Sequence, residues 1–205
     1  MADNPFLDWA VASRPMVGQA LSGDIATVLA TSTRAVLAVI DGLGHGPEAA
    51  EAAELAIRVI EQNRAEPVEA LLLLAHERLA ESRGVAATLA IVDGETGRMD
   101  WLGVGNVNGT LLRADEMARP RNHGVFLCRG VLGYLLPNLH VSDPLQLAPG
   151  DALVIATDGV RGDLTSPIRP EVAVDRLAET ILADQATYED DALVLVARYR
   201  GRNVS

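Results

Sequence analysis

The stretch "LAVIDGLGHGPEAAEAAE", residues 37–54, poses the main structural question for this chain. An apolar run ends at Asp41, three glycines alternate after it, and a helix is predicted to begin at Pro47, because proline suits the first helical position. A glycine-rich loop between a strand and a helix can cradle the phosphates of a nucleotide. An aspartate at the end of a buried strand can instead hold a metal ion. At this point both interpretations are open.

The composition is typical of a globular protein with a core of aliphatic side chains. The 205 residues are 49% hydrophobic but only 3% aromatic, so aromatic platforms for stacking nucleic-acid bases are not expected. The net charge of −11 further disfavours nucleic acid and anionic membranes as partners. The single cysteine, Cys128, excludes an internal disulfide framework. Because no signal peptide and no membrane-length apolar run are visible, we expect a cytoplasmic protein with one domain over residues 1–205.

The hydrophobic pattern predicts an α+β protein rather than a regular alternation of strands and helices. Strands are predicted at 25–30, 36–40, 85–92, 98–104, 107–113, 125–127, 141–147, 151–156 and 192–197, and helices at 47–62, 67–82 and 171–183. This order suits two antiparallel sheets with helices packed outside them. Residues 114–124 are predicted to form an exposed loop.

Aspartates stand at the ends of three predicted strands that look buried on both faces. These strands contain the apolar runs "VLAVI" at 36–40, "ALVIA" at 152–156 and "ALVLV" at 192–196. Asp41 follows the first of these strands, Asp158 follows the second, and the third is preceded by Asp190 and Asp191. If the third strand runs antiparallel to the other two, these carboxylates meet at one sheet edge. A group of carboxylates at one edge can bind a hard cation.

The first predicted hairpin gives a sharper test of this metal interpretation. A two-residue turn at residues 32–33 sets Asp24 opposite Asp41, with Cβ atoms roughly 4.5–5.5 Å apart. Like charges in such positions are destabilising unless a cation bridges them, and all-oxygen ligands favour Mg²⁺ or Mn²⁺ over zinc. The nucleotide interpretation is weaker, because a dinucleotide fingerprint needs glycine where Pro47 stands.

Six motifs, taken in order, carry a family resemblance. They are "SGD" at 22–24, "DGLGHG" at 41–46, "GVAATLAIVD" at 84–93, "GVGNV" at 103–107, "ATDGV" at 156–160 and "DDALVLV" at 190–196. With them the chain resembles the metal-dependent protein serine/threonine phosphatases (the PPM or type 2C family), most closely the bacterial SpoIIE-like branch. Its short length and the segment "VLGYLLPN" at 131–138 are similar to the small phosphatases of the stressosome.

The resemblance implies a four-layer αββα sandwich of two antiparallel sheets flanked by helices, with two Mn²⁺ or Mg²⁺ ions between the sheets. The ligands that it implies are Asp24, Asp41, Gly42 through its carbonyl oxygen, Asp158 and Asp190. Asp41 would bridge both ions, and Asp41, Asp158 and Asp190 would carry the catalytic role. Asp191 stands where many relatives have asparagine, and Asp190 is preferred to it as the ligand because Asp191 would begin the strand.

Two departures from the family pattern concern acid catalysis and phosphate binding. Leu43 occupies the position where the eukaryotic branch has a histidine that is thought to act as general acid. His45 is nearby, but we expect it to order the loop or face solvent. The arginine that contacts phosphate in some relatives has no clear counterpart, and Arg14 and Arg129 are the candidates to replace it.

The leading functional hypothesis is a phosphatase that acts on phosphoserine or phosphothreonine in proteins. The resemblance further implies STAS-domain proteins of a bacterial stress-signalling complex (the stressosome) as substrates, and a monomer is expected. One alternative is a catalytically impaired binding module with the phosphatase fold, which the intact set of aspartates disfavours. Another is a nucleotide-binding oxidoreductase, which Pro47 and the strand-rich order disfavour.

Overall fold

The computed structural model describes residues 4–136, 138–140, 143–166 and 168–201. In chain order, the strands and helices of these residues are β1 Leu7–Arg14, β2 Asp24–Ala30, β3 Arg34–Gly42, α1 Pro47–Gln62, α2 Val68–Arg78, β4 Val85–Asp93, β5 Arg98–Val104, β6 Asn108–Leu112, β7 Asn122–Gly124, β8 Leu127–Cys128, β9 Leu145–Gln146, β10 Ala152–Ala156, α3 Val174–Gln185 and β11 Ala192–Tyr199.

Two sheets pack face to face and carry helices on their outer sides. One sheet has the strand order β1-β11-β10-β6-β7, and the other has β2-β3-β4-β5-β8 with β9 also paired to β5. α1 and α2 cover the sheet that contains β3, and α3 covers the sheet that contains β11. All strand pairs are antiparallel except the short pair of β5 with β8, among the residues that the model describes. The predicted αββα sandwich is confirmed, and it differs from the parallel sheet that dinucleotide binding would require.

Strand β3 shows why the central strands are apolar along their whole length. Successive side chains of a strand point to opposite faces of the sheet. Val36, Ala38 and Ile40 therefore pack against the helical layer, whereas Leu37 and Val39 pack between the two sheets. Both faces of the strand are covered, so no polar face is left in the sequence.

The register of the first hairpin is as predicted. Ala30 pairs with Ala35, the Thr31 amide donates to the Arg34 carbonyl at 2.8 Å, and Asp24 lies opposite Asp41. The two-residue turn therefore fixes the pairing of the two aspartates at the far end of the hairpin.

The largest error of the sequence interpretation is the missed strand β1. It pairs with β11 over eight residues, from Leu7 opposite Tyr199 to Arg14 opposite Ala192. Its burial pattern is irregular, with only Leu7 and Ala10 buried, so it lacks the clean alternation that identifies a strand from sequence. Pairing with β11, near the other end of the described chain, supplies the stabilisation that the local pattern does not show.

Several boundaries were also predicted wrongly. The strand expected at 125–127 is not formed as such, because β7 ends at Gly124 and β8 begins at Leu127, and β7 lies within the expected loop 114–124. α2 ends at Arg78 rather than at residue 82. The strand expected at 141–147 is reduced to β9, and its residues 141 and 142 lie outside the described residues.

The aspartates do not meet at the edge of one sheet, as the strand ends alone suggested. β3 belongs to one sheet, whereas β10 and β11 belong to the other. The strand ends come together across the sandwich instead, which is the arrangement that the family resemblance implies. None of the helices in the described part of the chain is both long and apolar enough to cross a membrane.

A buried carboxylate lies directly before the first residue of β10. Asp151 is 1% exposed and accepts hydrogen bonds from the Ala114 and Ala148 amides, both at 2.9 Å. Its carboxylate also pairs with the Arg113 guanidinium at 2.8 Å. Asp151 thus ties three segments together through one buried, fully engaged side chain.

We expect replacement of Asp151 by alanine to lower the free energy of unfolding by about 3 kcal/mol, because it leaves the Arg113 charge and two amides without their acceptor. Urea denaturation measures this change. The matched control is Asp100→Ala, which removes an exposed pair with Arg98 and should cost less than about 1 kcal/mol. Equal losses in the two variants would contradict a structural role for Asp151.

Candidate metal centre

Four aspartates come together at one end of the sandwich because of how the strands run. Asp24 begins β2 and Asp41 lies near the end of β3, opposite it. In the other sheet β10 and β11 are antiparallel, so Asp158, which follows β10, and Asp190, which precedes β11, share one end. A hydrogen bond from Thr157, the neighbour of Asp158, to Asp24 joins the two pairs across the sandwich. The charges of Asp24, Asp158 and Asp190 all raise the pKa of Asp41.

A threonine fastens Asp24 to the opposite sheet. The Thr157 hydroxyl donates to Asp24 Oδ2 at 2.7 Å, and the same hydroxyl oxygen accepts from the Leu193 amide at 2.9 Å. Asp24 is 8% exposed, so this hydrogen bond forms away from water. Thr157 therefore sets the orientation of the Asp24 carboxylate relative to β10 and β11.

Asp191 has a different role from that of its neighbour Asp190. It is 3% exposed, and its two oxygens accept hydrogen bonds from the Met16 and Gly23 amides, each at 2.7 Å. Asp190 is half-buried, and one of its oxygens accepts from the Asp191 amide at 2.9 Å. Asp191 thus anchors the segment that leads into β2, whereas Asp190 keeps an oxygen available for another partner.

An amide side chain orients the fourth aspartate. Asn106 lies in the turn after β5, and its Nδ2 donates to Asp158 Oδ2 at 2.6 Å. Both residues are exposed, so this part of the site is open to solvent. Asn106 and Thr157 were not among the residues predicted for the site, although they stand in the motifs "GVGNV" and "ATDGV".

The carboxylates have strongly perturbed proton affinities. Burial, followed by the charges of the other aspartates, raises the pKa of Asp24 to about 7, although the hydrogen bond from Thr157 opposes the rise. Burial and then the charge of Asp24 raise the pKa of Asp41 to about 8, and the Asn106 side chain opposes that rise. The pKa of Asp190 is also raised, first by burial. Excess negative charge is therefore concentrated at this end of the molecule.

Glycine is required at residue 42 because helix α1 lies directly against it. A Cβ atom at this position would stand 2.2 Å from the Ala49 carbonyl oxygen, in the first turn of α1. Gly44 has a φ of +85°, in the left-handed region that glycine adopts without strain. These two positions explain why the loop after Asp41 is rich in glycine without any nucleotide phosphate.

The other residues singled out from the sequence lie outside this cluster or at its rim. Leu43 is 39% exposed beside Asp41 and has no proton to donate. His45 is exposed, as expected, yet its charge lies near enough to lower the pKa of Asp190 in part. Arg14 donates to the Thr187 carbonyl at 2.6 Å and stacks over the Tyr188 ring at 4.3 Å.

Arg129 is the other candidate for phosphate binding, whereas His76 matches no motif. Arg129 is exposed on the surface. His76 accepts a hydrogen bond at Nδ1 from the Gly133 amide at 3.0 Å and so supports the segment after β8. In the described part of the chain, no group of three or more acidic, histidine or cysteine side chains is placed so that it could hold a metal ion as it stands. Thr157 and Asn106 instead hold Asp24 and Asp158 where they stand.

Comparison with known proteins decides the family. The model of the family described as Stage II sporulation protein E (SpoIIE) matches residues 31–200, which is most of the chain. The chain belongs to the SpoIIE family. The predicted membership of the SpoIIE-like branch is thereby confirmed. The expectation that the chain is a phosphatase is confirmed as well.

Individual proteins that resemble the chain extend this result. The chain is 23% identical to the phosphoserine phosphatase RsbX of Bacillus subtilis (strain 168) over 184 residues, which are 88% of this chain and 89% of RsbX. A crystal structure of RsbX in complex with magnesium superposes with a TM-score of 0.86 at 20% identity and covers 96% of this chain and 97% of that one.

Two other solved structures are informative. A chain from a structure of the bacterial stressosome, a modular system adapted to control secondary messenger signalling, has a TM-score of 0.86 at 30% identity and covers 94% of this chain and 99% of that one. The catalytic domain of the serine/threonine phosphatase PstP with two manganese ions has a TM-score of 0.66 at 18% identity, covering 95% and 99%. The latter likeness shows the shared fold.

We expect the metal-stripped chain to become less stable as pH rises from about 4 to about 8. Asp24 and Asp41 titrate near 3.8 when unfolded but near 7 and 8 when folded, so the folded chain binds more protons across this interval. The free energy of unfolding then falls as pH rises. The melting temperature, measured with a chelator at pH 5 and pH 8, checks this. In Asp41→Asn the fall should be smaller, and a melting temperature that rises with pH would contradict the raised pKa values.

Asp190 and Asp191 should differ in their effect on stability. Asp191→Ala leaves two backbone amides without acceptors and should lower the free energy of unfolding of the metal-stripped chain by about 2 kcal/mol. Asp190→Ala should cost less than about 1 kcal/mol, because it removes a half-buried charge among like charges. Urea denaturation compares the variants directly. A larger loss for Asp190→Ala would reverse the roles assigned to the two residues.

Proposed function

We propose that this chain is a Mn²⁺- or Mg²⁺-dependent phosphatase that hydrolyses phosphoserine or phosphothreonine in proteins. The observation that carries the proposal is the cluster of aspartates from both sheets, in which Asp24 and Asp41 have pKa values raised to about 7 and about 8. Carboxylates that face one another in this way are stabilised when a cation lies between them. The all-oxygen donor set fits Mg²⁺ or Mn²⁺.

The residues that would hold two such ions are Asp24, Asp41, Gly42 through its carbonyl oxygen, Asp158 and Asp190. The family resemblance implies that Asp41 would serve both ions, and its position opposite Asp24 near the end of β3 fits this role. Asp190 is preferred to Asp191, since both oxygens of Asp191 are engaged by backbone amides. Magnesium in RsbX and two manganese ions in PstP support the choice of metal and the number of ions.

Divalent cations bound here would lower the pKa of water and offset charge on the phosphoryl oxygens. The chain's own residues orient the reacting groups. Thr157 holds the Asp24 carboxylate, and Asn106 holds that of Asp158, each through one hydrogen bond. Because Leu43 has no proton to give, the leaving serine or threonine oxygen takes its proton from water at this exposed rim rather than from residue 43.

Phosphorylated STAS-domain proteins of a stressosome are the proposed substrates. The likeness to RsbX over most of both chains and to a chain of a bacterial stressosome structure supports this choice. We also propose a cytoplasmic monomer, and the net charge of −11 disfavours nucleic acid and anionic membranes as its partners. Under this proposal the glycine-rich loop after Asp41 serves a metal site rather than a nucleotide.

Hydrolysis of p-nitrophenyl phosphate across a Mn²⁺ titration tests the proposed function. We expect activity that needs the metal, disappears with a chelator and falls on the order of a hundredfold or more in Asp41→Asn, because the central ligand is lost. Asp115→Asn, which replaces an exposed carboxylate in a loop, is the control and should keep full activity.

Near-normal turnover by Asp41→Asn would show that Asp41 is not the bridging ligand. If the unmodified chain binds Mn²⁺ in calorimetry but hydrolyses neither p-nitrophenyl phosphate nor a phosphoserine peptide, the alternative of a catalytically impaired binding module replaces the phosphatase proposal.

A further inference from the structure

A groove with a volume of about 580 Å³ runs along the outer side of α1, next to the segment that follows α2. The residues that define it in the following argument are Glu48, Glu51, Leu55 and Arg58 on α1, and Glu81 and Arg83 on the opposite wall. The metal site as described does not use any of these side chains. We call this feature the α1 groove.

One end of the α1 groove adjoins the loop that carries Asp41. Glu48 lies in the first turn of α1 and forms an ion pair with Arg83 across the groove end. An Arg83 guanidinium nitrogen lies 3.0 Å from the position that a Cβ atom of Gly44 would take. The Leu43 amide donates to the Gly84 carbonyl at 3.1 Å, so the two walls are joined beside the aspartates.

The length of the α1 groove suits a short extended peptide. Residues 48 and 58 stand at its two ends along α1, and ten residues of helix rise about 15 Å. An extended chain advances about 3.3 Å per residue, so about four or five residues span this distance. A substrate segment with its phosphorylated residue at the aspartates can therefore lay its neighbouring residues along α1.

The charges of the α1 groove indicate what such a segment carries. Arg83 is paired with Glu48, and Arg58 is paired with Glu54 at 3.4 Å. Glu51 and Glu81 are exposed and have no cationic partner within the described residues. Leu55, which is half-buried, adds apolar surface between them. A bound segment that carries a basic residue beside an apolar one is complementary to this surface.

We propose that the α1 groove binds the residues that flank the phosphorylated serine or threonine of a protein substrate, and that Glu51 and Glu81 select flanks that contain lysine or arginine. This inference rests on the proposed phosphatase function and deepens it, because it names the sequence class of the substrate. It assigns Glu51 and Glu81 to specificity and leaves the reacting groups at the aspartates.

The test compares two phosphoserine peptides that are identical except that lysines or glutamates flank the phosphoserine on both sides, with leucine kept in each. The value of kcat/KM is measured for the unmodified chain, for Glu51→Lys/Glu81→Lys and for the control Glu61→Lys/Glu66→Lys. The control changes the net charge equally through exposed residues that do not line the groove.

We expect the unmodified chain to prefer the lysine peptide about fivefold, as two solvent-exposed charge pairs allow. Glu51→Lys/Glu81→Lys should invert the preference, whereas the control should retain it. Hydrolysis of p-nitrophenyl phosphate, which has no flanking residues, should stay the same in all three proteins. The preference should also weaken as salt is added.

Equal kcat/KM for the two peptides in the unmodified chain, or the same shift in both double variants, would overturn the inference while leaving the phosphatase function intact. If neither p-nitrophenyl phosphate nor a peptide is hydrolysed, the proposed function fails separately. Fluorescence anisotropy of the two labelled peptides then tests the groove. Tighter binding of the lysine peptide, lost in Glu51→Lys/Glu81→Lys, supports the inference. Equal binding of the two peptides rejects it.

Discussion

The acidic end of this molecule depends on hydrogen bonds that cross from one sheet to the other. Among the described residues no backbone ladder joins the two sheets, so side-chain and loop contacts fix Asp24 relative to the ends of β10 and β11. Thr157 supplies one such link through the Asp24 carboxylate, and Asp191 supplies others through the Gly23 and Met16 amides. Without these links the aspartates of the two sheets would separate, because their mutual repulsion favours separation.

The sequence could reveal those parts of the site that depend on local geometry. The pairing of Asp24 with Asp41 follows from the length of one turn and the two-residue period of a strand, both of which are readable from the residues themselves. The first residue of α1 follows from Pro47, and α1 has the predicted bounds at both ends. β3, β4 and β11 are buried on both faces, and their apolar runs identify them directly.

The parts that could not be predicted depend on contacts between residues far apart in the chain. Strand β1 is stabilised by β11, and its own burial pattern is irregular. Asp191 looks like a second ligand candidate in the sequence, yet amides of residues 16 and 23 occupy its oxygens. Arg14 was a candidate for phosphate binding, but the Thr187 carbonyl and the Tyr188 ring hold its guanidinium. No local pattern encodes any of these three partners.

The position of α1 explains the pattern of glutamate and alanine in its first turns, "PEAAEAAE". The inward residues of its first turns are alanines, so the helix lies close enough for the Ala49 backbone to contact Gly42 and for the Ala49 side chain to approach Gly23. Larger side chains on that face would push the first turn away from both loops that carry aspartates. The outward residues of the same turns, Glu48 and Glu51, line the α1 groove. Because a helix moves as a rigid element, a shift that changes the distance between its inner face and Asp41 also moves its acidic outer face. The proposed recognition of substrate along α1 would therefore be coupled to the geometry of the aspartates by the packing of one helix.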